Sequence, residues 1–302
     1  MNIILTGATG FVGTHLIPSL NSNKLLLIVR NTENAQIQFN SFKNISILNT
    51  EDADFVKVVE NFCPQMVIHL ASSSLSVENE NSLIELINSN ILFGTKLLHA
   101  LSKTKTEYFI NIGSGLEFFI NSNSRESSNL YASTKTAFLP ILNYYSDIIG
   151  FKTLNLIFYT VYGEKTKNKK ALDYIFESIS SNEYISMTYG LQKLDLIHID
   201  DIVYLFELIL KNTNKIENGF HEYHVGSGVS KNLREIAAVV EKVSGKTTKI
   251  NWGGREYRKK EKMETRVDIS KLYKAFGWMP KVQLEQGIEK QLIKIQNDGT
   301  KF

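Results

Sequence analysis

The chain opens with an apolar run that leads into three evenly spaced glycines, in MNIILTGATGFVGTHLIPSL over Met1–Leu20. The run IIL favours a buried strand, and Gly7, Gly10 and Gly13 follow it. In this setting the glycines permit, in order, a tight turn, a close approach of the backbone to a pyrophosphate, and close packing of the new helix on the sheet. Free N–H groups and the positive dipole end of that helix would face the anion. The stretch therefore predicts a dinucleotide-binding turn.

The first half of the chain repeats the same strand-then-helix order. Apolar runs rich in β-branched residues recur as KLLLIVR, QMVIHLA, EYFINIG and TLNLIFYTVYG, with helical periodicity between them. This alternation implies crossover connections and a parallel sheet that is covered on both faces. We predict an α/β fold, a Rossmann-type doubly wound parallel sheet with a smaller α/β C-terminal domain. We expect the dinucleotide-binding domain over 1–165 and the second domain over 166–302, interleaved with the first.

Composition narrows the class of protein. The 302 residues are 43% hydrophobic and 22% charged, which is ordinary for a soluble domain, and the net charge of +3 is too small to favour a nucleic-acid partner. No apolar run approaches the roughly 20 residues of a membrane span. The single cysteine, Cys63, precludes an internal disulfide and is predicted to be a small core residue. We expect a cytoplasmic protein with no membrane partner and no metal site.

A second chemical motif is YASTK, in which Tyr131 and Lys135 would lie one helical turn apart. A phenol with a pKa of ~10 is a poor acid or base near neutral pH. A neighbouring ammonium and a positively charged nicotinamide would both favour the phenolate and lower that pKa. Ser114, in NIGSG at the end of a predicted strand, could hydrogen-bond a substrate oxygen, because ligands of doubly wound sheets lie at the carboxyl ends of the strands.

The motifs occur in a familiar order. TGATGFVG, VIHLAS, NILFGTKLL, NIGSG, YASTK, TVYG, DLIHIDDIV, YHVGSG and DISKLYKAFGWMP resemble the extended short-chain dehydrogenase/reductases, and more specifically their sugar-nucleotide epimerase/dehydratase/reductase branch. The resemblance covers nearly the whole chain. It implies a nicotinamide dinucleotide in the first domain and a substrate-binding C-terminal domain that holds a nucleoside-diphosphate sugar. It places Ser114, Tyr131 and Lys135 at catalytic positions and Asn90 near the active site.

The resemblance also implies individual binding positions. The residues expected to contact the cofactor are Gly7, Gly10, Phe11, Val12, Gly13, Arg30, Asn31, Asn49, Leu70, Ala71, Ser72, Asn90, Lys135 and Tyr159. The residues expected to contact the substrate are Ser73, Ser114, Thr160 and Arg258, with Arg258 the candidate for the diphosphate.

Three reactions of this branch compete. Its 4,6-dehydratases carry an Asp-Glu pair directly after the catalytic Ser or Thr, whereas here Gly115 and Leu116 follow Ser114 and the first acid, Glu117, comes after them. The missing pair argues against dehydration. A reductase and an epimerase remain, and they use the cofactor differently. An epimerase keeps its NAD bound, whereas a reductase exchanges its cofactor at each turnover and often uses NADPH.

The end of the second predicted strand bears on that choice. NAD-specific relatives usually place an acid there to bind the adenosine ribose, but this strand ends in Val29, Arg30 and Asn31. Arg30 could pair with a 2′-phosphate. We therefore predict NADPH-dependent reduction of the C4 keto group of a nucleoside-diphosphate 4-keto-6-deoxyhexose, in deoxysugar and surface polysaccharide biosynthesis, with NAD less favoured. An NAD-retaining sugar-nucleotide 4-epimerase and a non-catalytic dinucleotide-binding protein stay open.

Departures from the family pattern fall on the substrate side. Thr160 stands where many relatives have Asn, Glu164 replaces a frequent proline, and Lys193 and Leu194 replace an arginine pair. The sequence therefore does not predict the sugar, its C4 stereochemistry, or which of dTDP, CDP, GDP and UDP carries it.

The resemblance further implies a homodimer through two helices of each subunit. The candidates are SLIELINSNILFGTKLLHAL and the helix that bears Tyr131. Both carry more apolar residues than one buried face needs, and such a surplus is typical of an interface. The apolar residues in question are Leu83, Leu86, Ile87, Phe138, Leu142 and Tyr145. We expect Phe138 and Leu142 in or beside the contact, and a kink at Pro140 within the second helix.

Overall fold

The computed structural model describes residues 1–74, 79–119, 124–164 and 169–297. Within them, seven parallel strands form the central sheet in the order β3-β2-β1-β4-β5-β6-β10. These strands are β1 Asn2–Thr6, β2 Lys24–Val29, β3 Ile45–Asn49, β4 Met66–His69, β5 Tyr108–Ser114, β6 Lys152–Phe158 and β10 Phe220–Val225. The predicted fold class is confirmed.

Helices cover both faces of this sheet. Alternate residues of β1 point to opposite sides, since Ile3 packs in one apolar cluster and Ile4 in the other. The helices of the first half are α1 Phe11–Leu16, α2 Thr32–Gln38, α3 Phe55–Phe62, α4 Glu80–Ile87, α5 Phe93–Leu101 and α6 Leu130–Ile149, and a π-helical segment, Asn88–Leu92, joins α4 to α5. Helices α3, α5 and α6 pack on one face, while α1 packs on the other.

The second half contributes smaller sheets and the remaining helices. The strands β7 Thr160–Tyr162, β9 Lys193–His198 and β11 Ser230–Asn232 pair with one another, and β8 Ile185–Met187 pairs with β12 Ile250–Trp252. The helices are α7 Ala171–Ser178, α8 Ile199–Lys211, α9 Leu233–Ser244, α10 Ser270–Phe276 and α11 Leu284–Asn297. A third apolar cluster joins α7, α9 and α11.

The two halves share the central sheet. β10 comes from the second half and pairs in parallel with β6, so that Tyr223 lies opposite Leu156. Helix α8 also packs against the central sheet through Leu205 and Phe206. The expected domain boundary at 165/166 lies outside the described residues, and the division itself stays a prediction.

Two expectations about burial are wrong. Cys63 is exposed because it ends α3 in the left-handed conformation, with φ of 49°, and the adjacent Pro64 is buried instead. Phe138 and Leu142 are 1% and 0% exposed, because they form the stripe of α6 that packs on the sheet, and Leu86 of α4 is also buried. These three side chains therefore cannot form an outward apolar surface.

Helix α6 runs without interruption through Pro140, whose side chain lies on the exposed side. The kink expected there stays a prediction. Among the helices in the described part of the chain, none combines the length and apolar character needed to cross a bilayer.

Candidate active site

The glycine-rich turn joins β1 to α1 at the carboxyl edge of the sheet. Gly7 has φ of 69°, and a Cβ on it would lie 2.7 Å from the backbone nitrogen of Ala71. Gly10 caps α1 with no side chain to accept the first N–H groups of the helix, which belong to Phe11 and Val12. This bare helix start beside a close backbone turn fits the pyrophosphate of a dinucleotide.

Gly13 was expected to let α1 pack closely on the sheet, but its nearest neighbours are different. A Cβ there would clash with the carbonyl oxygen of Gly7 and the backbone of Ala8. The glycine therefore allows α1 to lie close to its own preceding turn, and the sheet is not the nearest obstacle.

At the ends of β2 and β3, three polar residues meet. The side-chain nitrogen of Asn49 donates to the carbonyl of Arg30 at 3.0 Å, and Asn31 caps α2 by accepting from the N–H of Asn34. The guanidinium of Arg30 pairs with Glu85 of α4 at 2.9 Å, with 72% of the arginine side chain exposed. Arg30 is accessible to an anion, and Glu85 already competes for it.

The segment after β4 is held by a buried asparagine. Leu70 and Ala71 lie against the glycine turn, and the Ala71 N–H donates to Thr6 Oγ1 at 3.1 Å. Asn90, in the π-helical segment, accepts from the Ser72 hydroxyl and the Ser73 N–H. The same side chain donates to the Ser73 carbonyl at 3.0 Å and to the Thr134 hydroxyl at 2.8 Å.

Asn90 therefore uses both lone pairs and both N–H groups within the protein. It bridges the segment after β4 to the helix that carries Tyr131. We expected Asn90 to contact the cofactor, but the structure leaves its amide no free hydrogen-bonding group.

The three predicted catalytic residues converge. Ser114 ends β5 and is 8% exposed. Tyr131 lies in the first turn of α6, where its hydroxyl interacts with the side chains of Ser114 and Ser72. Lys135 follows one turn later and is 4% exposed. An oxygen atom of a ligand at Tyr131 would thus meet the hydroxyl of Ser114 at the end of β5, that of Ser72 after β4, and that of Tyr131 on the helix.

Electrostatics at this site depart from the expectation. Burial raises the pKa of Tyr131, the hydrogen bonds from Ser72 and Ser114 oppose this, and the charge of Glu117 adds to it. The predicted lowering by Lys135 is not the dominant effect. Burial also lowers the pKa of Lys135 to about 8.

Behind Lys135 lies a neutral imidazole. Burial, and then the charge of Lys135, lower the pKa of His69 to about 3. Its Nδ1 is 2.9 Å from Thr6 Oγ1. His69 therefore fills the space beside the ammonium without adding a second positive charge.

The substrate side contains Tyr159, Thr160 and a basic segment. The Tyr159 hydroxyl is 3.0 Å from His224 Nδ1, and burial raises its pKa, with Asp195 and Glu222 adding to the effect. Thr160 begins β7. Arg258 is exposed, and its guanidinium has no hydrogen bond or ion pair with any described residue, which leaves it free for an anion.

Sequence reasoning missed Lys262, in the same basic segment as Arg258. Its ammonium donates to the carbonyl oxygens of Gly115 and Phe118 and lies 5.6 Å from the centre of the Tyr159 ring. Burial lowers its pKa to about 8. The signal was the basic run RKKEK. Its charges suggest a solvated loop, although the Lys262 side chain is partly buried.

Sequence reasoning also missed the role of Glu117, whose side chain is 0% exposed. Only its position after Ser114 drew attention to it. In the described ranges, no three His, Cys, Asp or Glu side chains are grouped to hold a metal ion.

Known proteins resemble the chain along most of its length. CDP-abequose synthase of Salmonella muenchen is 29% identical over 299 residues, covering 96% of each protein. CDP-abequose synthase of Yersinia pseudotuberculosis is 29% identical over 266 residues, covering 87% of this chain and 91% of the relative. UDP-glucuronic acid 4-epimerase from Bacillus cereus, solved with UDP-glucuronic acid and NAD, superposes with a TM-score of 0.87 at 22% identity, covering 98% of this chain and 99% of that one.

A family model described as the NAD dependent epimerase/dehydratase family matches residues 3–226. That range takes in the glycine turn, the Ser114, Tyr131 and Lys135 cluster, and the strand β10 that completes the central sheet. With most of its length matched by this model, the chain belongs to the NAD dependent epimerase/dehydratase family.

Proposed function

We propose that the protein is an NADPH-dependent reductase of the C4 keto group of a nucleoside-diphosphate 4-keto-6-deoxyhexose, acting in deoxysugar and surface polysaccharide biosynthesis. Among the nucleotides left open by the sequence, the name CDP-abequose synthase carried by its relatives favours a cytidine diphosphate sugar. The substrate would lie between Tyr131, Thr160 and Arg258.

The observation that carries this proposal is the position of the Tyr131 hydroxyl. The side chains of Ser72 and Ser114 interact with it, and burial raises its pKa, so the phenol is protonated near neutral pH. A protonated phenol in that place is a proton donor, which is the form a carbonyl reduction requires.

In the proposed reaction a reduced nicotinamide dinucleotide supplies the hydride to C4. Tyr131 gives its phenolic proton to the C4 oxygen as negative charge develops there, and takes a proton back from solvent afterwards. Ser114 donates a hydrogen bond to the same oxygen and polarises the carbonyl. Lys135 holds the ribose of the cofactor, and its ammonium stabilises the transient phenolate.

The choice of NADPH rests on the end of β2. No carboxylate stands at the end of that strand before Glu33 of α2, and the side chain of Arg30 is exposed there. An arginine is suited to binding a phosphate through paired N–H groups. Glu85 is the one feature at this place that favours the opposite preference.

A second candidate is an NAD-retaining sugar-nucleotide 4-epimerase. Structures of UDP-glucuronic acid 4-epimerase with NAD have the same fold, and Ser114, Tyr131 and Lys135 would serve that reaction too. The two candidates differ in net cofactor consumption. A third candidate, a non-catalytic dinucleotide-binding protein, would consume nothing and convert nothing.

The test combines the purified protein with NADPH and CDP-4-keto-6-deoxyglucose, and follows NADPH absorbance together with mass spectrometry of the sugar nucleotide. A reductase consumes one NADPH for each alcohol formed. Interconversion of UDP- or CDP-hexoses without net consumption, by protein that co-purifies with NAD, would identify the epimerase instead. Tyr131→Phe serves as the control for background turnover.

A further inference from the structure

Glu117 is a fully buried carboxylate beside the catalytic residues, and it has no role in the reaction proposed above. One oxygen, Oε1, accepts from the Ser114 N–H at 2.7 Å. The other, Oε2, accepts from the Thr136 hydroxyl at 2.9 Å and from Arg125 Nε at 3.3 Å. Glu117 thus joins the strand end that carries Ser114 to the helix turn that carries Lys135.

Burying this charge is costly unless it is paired and hydrogen-bonded, and the surroundings supply both. Arg125 pairs with Glu117 and also with Glu222 of β10. Glu222 accepts from Asn155 at 2.7 Å, and Asn155 accepts from Asn111 at 2.7 Å. The chain of contacts crosses three adjacent strands of the central sheet.

The backbone also makes room for the carboxylate. A Cβ on Gly113 would clash with Cδ1 of Ile157 and lie 2.9 Å from Oε1 of Glu117, so any other residue there would push against both side chains. A glycine, an arginine, a threonine and two strands are therefore arranged around one acidic side chain. A side chain that only fills space in the core would not need these contacts.

Building on the proposed reduction, we propose that Glu117 is a positioning residue of the active site, which locks Ser114 to helix α6 and sets a carboxylate beside the proton donor Tyr131.

Glu117 raises the pKa of Tyr131 in addition to the larger effect of burial, and it opposes the lowering of the pKa of Lys135 by burial. The other ionisable side chains that face the cluster are Arg125 from the preceding loop, His69 from β4, Glu222 and His224 from β10, Tyr159 after β6, and Lys262 from the C-terminal segment.

The consequence concerns the direction of the reaction. Reduction needs protonated Tyr131, and oxidation needs the phenolate. A fixed negative charge beside Tyr131 disfavours the phenolate. Glu117 would therefore slow the oxidation with which an epimerase begins, while reduction near neutral pH keeps its protonated phenol in either case.

The test compares four variants in carbonyl reduction across pH. Glu117→Gln keeps the shape and removes the charge, while Glu117→Asp keeps the charge and shortens the reach. Thr136→Val removes one donor to the carboxylate. Glu126→Gln is the matched control, because it makes the same substitution in the same loop at a side chain that is 43% exposed and 3.8 Å from Lys260.

In Glu117→Gln we expect the basic limb of the kcat/KM profile to move to lower pH by roughly one unit. In Glu117→Asp and Thr136→Val we expect that limb to stay in place while kcat falls several-fold, because only the positioning is disturbed. Glu126→Gln should match the wild type in both respects. A Glu117→Gln profile whose basic limb does not move overturns the proposal.

Two further measurements keep the proposal testable. If Glu117→Gln does not fold, Arg125→Gln removes the opposing charge and should move the basic limb to higher pH, so an unmoved or lowered limb counts against the proposal. A tyrosinate absorbance titration, referenced to Tyr131→Phe in each background, needs no sugar nucleotide. A lowered Tyr131 pKa in Glu117→Gln without any keto-sugar reduction would retain the role of Glu117 and reject only the proposed reaction.

Discussion

At the scale of single residues, the proposed reaction depends on the Tyr131 hydroxyl. Replacing Tyr131 by Phe removes the proton donor and leaves the ring in place. We expect kcat to fall by roughly 10² to 10⁴, the usual contribution of a positioned general acid, with cofactor affinity retained. Steady-state kinetics and cofactor titration measure both quantities. Tyr145→Phe, a half-buried tyrosine of the same helix, is the control, and near-normal turnover of Tyr131→Phe would reject the mechanism.

The buried ammonium of Lys135 is expected to lower the free energy of unfolding, although the proposed reaction needs it. Burial lowers its pKa to about 8 from the usual 10.5, so the folded protein binds fewer protons than the unfolded chain between these values. Stability contributed by this group therefore rises with pH through that window. Lys135→Met removes the buried charge and should raise the free energy of unfolding by roughly 2–3 kcal/mol at pH 7 while abolishing turnover.

The gain in Lys135→Met should shrink as the pH approaches 10.5, because the wild-type lysine is neutral there. Denaturant unfolding at several pH values measures this difference. Lys57→Met, at a side chain that is 77% exposed, should show no comparable trend. A constant difference between Lys135→Met and the wild type across pH would contradict the assignment.

Cofactor preference is expected to depend on Arg30 and on its partner Glu85. Arg30→Ala should weaken NADPH binding about tenfold or more and NADH binding much less, since it removes a charge-assisted contact to phosphate. Glu85→Gln should strengthen NADPH binding only a few-fold, because the ion pair it breaks is largely exposed. Fluorescence titration with NADPH and with NADH at two salt concentrations measures these affinities. Glu80→Gln of the same helix is the control. Equal losses for both cofactors in Arg30→Ala would remove the case for NADPH.

At the scale of helices and strands, sequence periodicity predicted the order of the elements along the chain. It was less informative about which face of a helix is buried. The alternation of strands and helices and the turn at Gly7 were predictable, because each depends on local pattern. The side of α6 that faces outward was not predictable from such a pattern. Phe138, Leu142 and Tyr145 follow one helical stripe, which is the spacing of any core-facing side, and the structure shows that the sheet covers its first two members.

Buried polar groups were the least predictable part of the site. Glu117 and Lys262 are of residue types that are mostly exposed, and their burial depends on partners distant in sequence, such as Arg125, Thr136 and Phe118. No local pattern encodes those contacts. The pair Tyr131 and Lys135 was predictable because a single helical turn brings the two together.

The π-helical segment between α4 and α5 is expected to be important for holding the site together. Asn90→Ala would leave the Ser73 N–H and the Thr134 hydroxyl without their partner. We expect a loss of roughly 2–3 kcal/mol in the free energy of unfolding and a lower kcat, because Ser72 is no longer held beside Tyr131. Thermal and denaturant unfolding with kinetics measure both, and the exposed Asn88→Ala in the same segment is the control. A variant as stable as the wild type would show that the amide bridges are dispensable.

At the scale of the whole molecule, the predicted dimer keeps the two expected helical stretches but needs other side chains on α6. Leu83 and Ile87 of α4 are exposed as expected, at 38% and 37%. On α6 the exposed apolar side chains are Tyr144 and Ile148, at 59% and 58%, and on the adjoining helical stretch they include Ile84 and Leu92, at 48% and 59%. Helix α4 and the π-helical segment, which carry Ile84 and Leu92, both contact α6, so these apolar side chains lie on neighbouring elements. Apolar side chains exposed in this number commonly mark an interface.

We therefore expect a homodimer whose contact includes Tyr144 and Ile148. In a two-fold symmetric contact each substitution occurs twice, so Tyr144→Asp buries two new charges and should shift the protein to monomer at micromolar concentration. Light scattering measures the mass, which is 34.3 kDa for one chain. Ile37→Asp, at a side chain that is 75% exposed on α2, is the matched control and should leave the mass unchanged. A monomeric wild-type protein would reject the dimer, whereas a Tyr144→Asp variant that stays dimeric would reject this interface and leave the dimer standing.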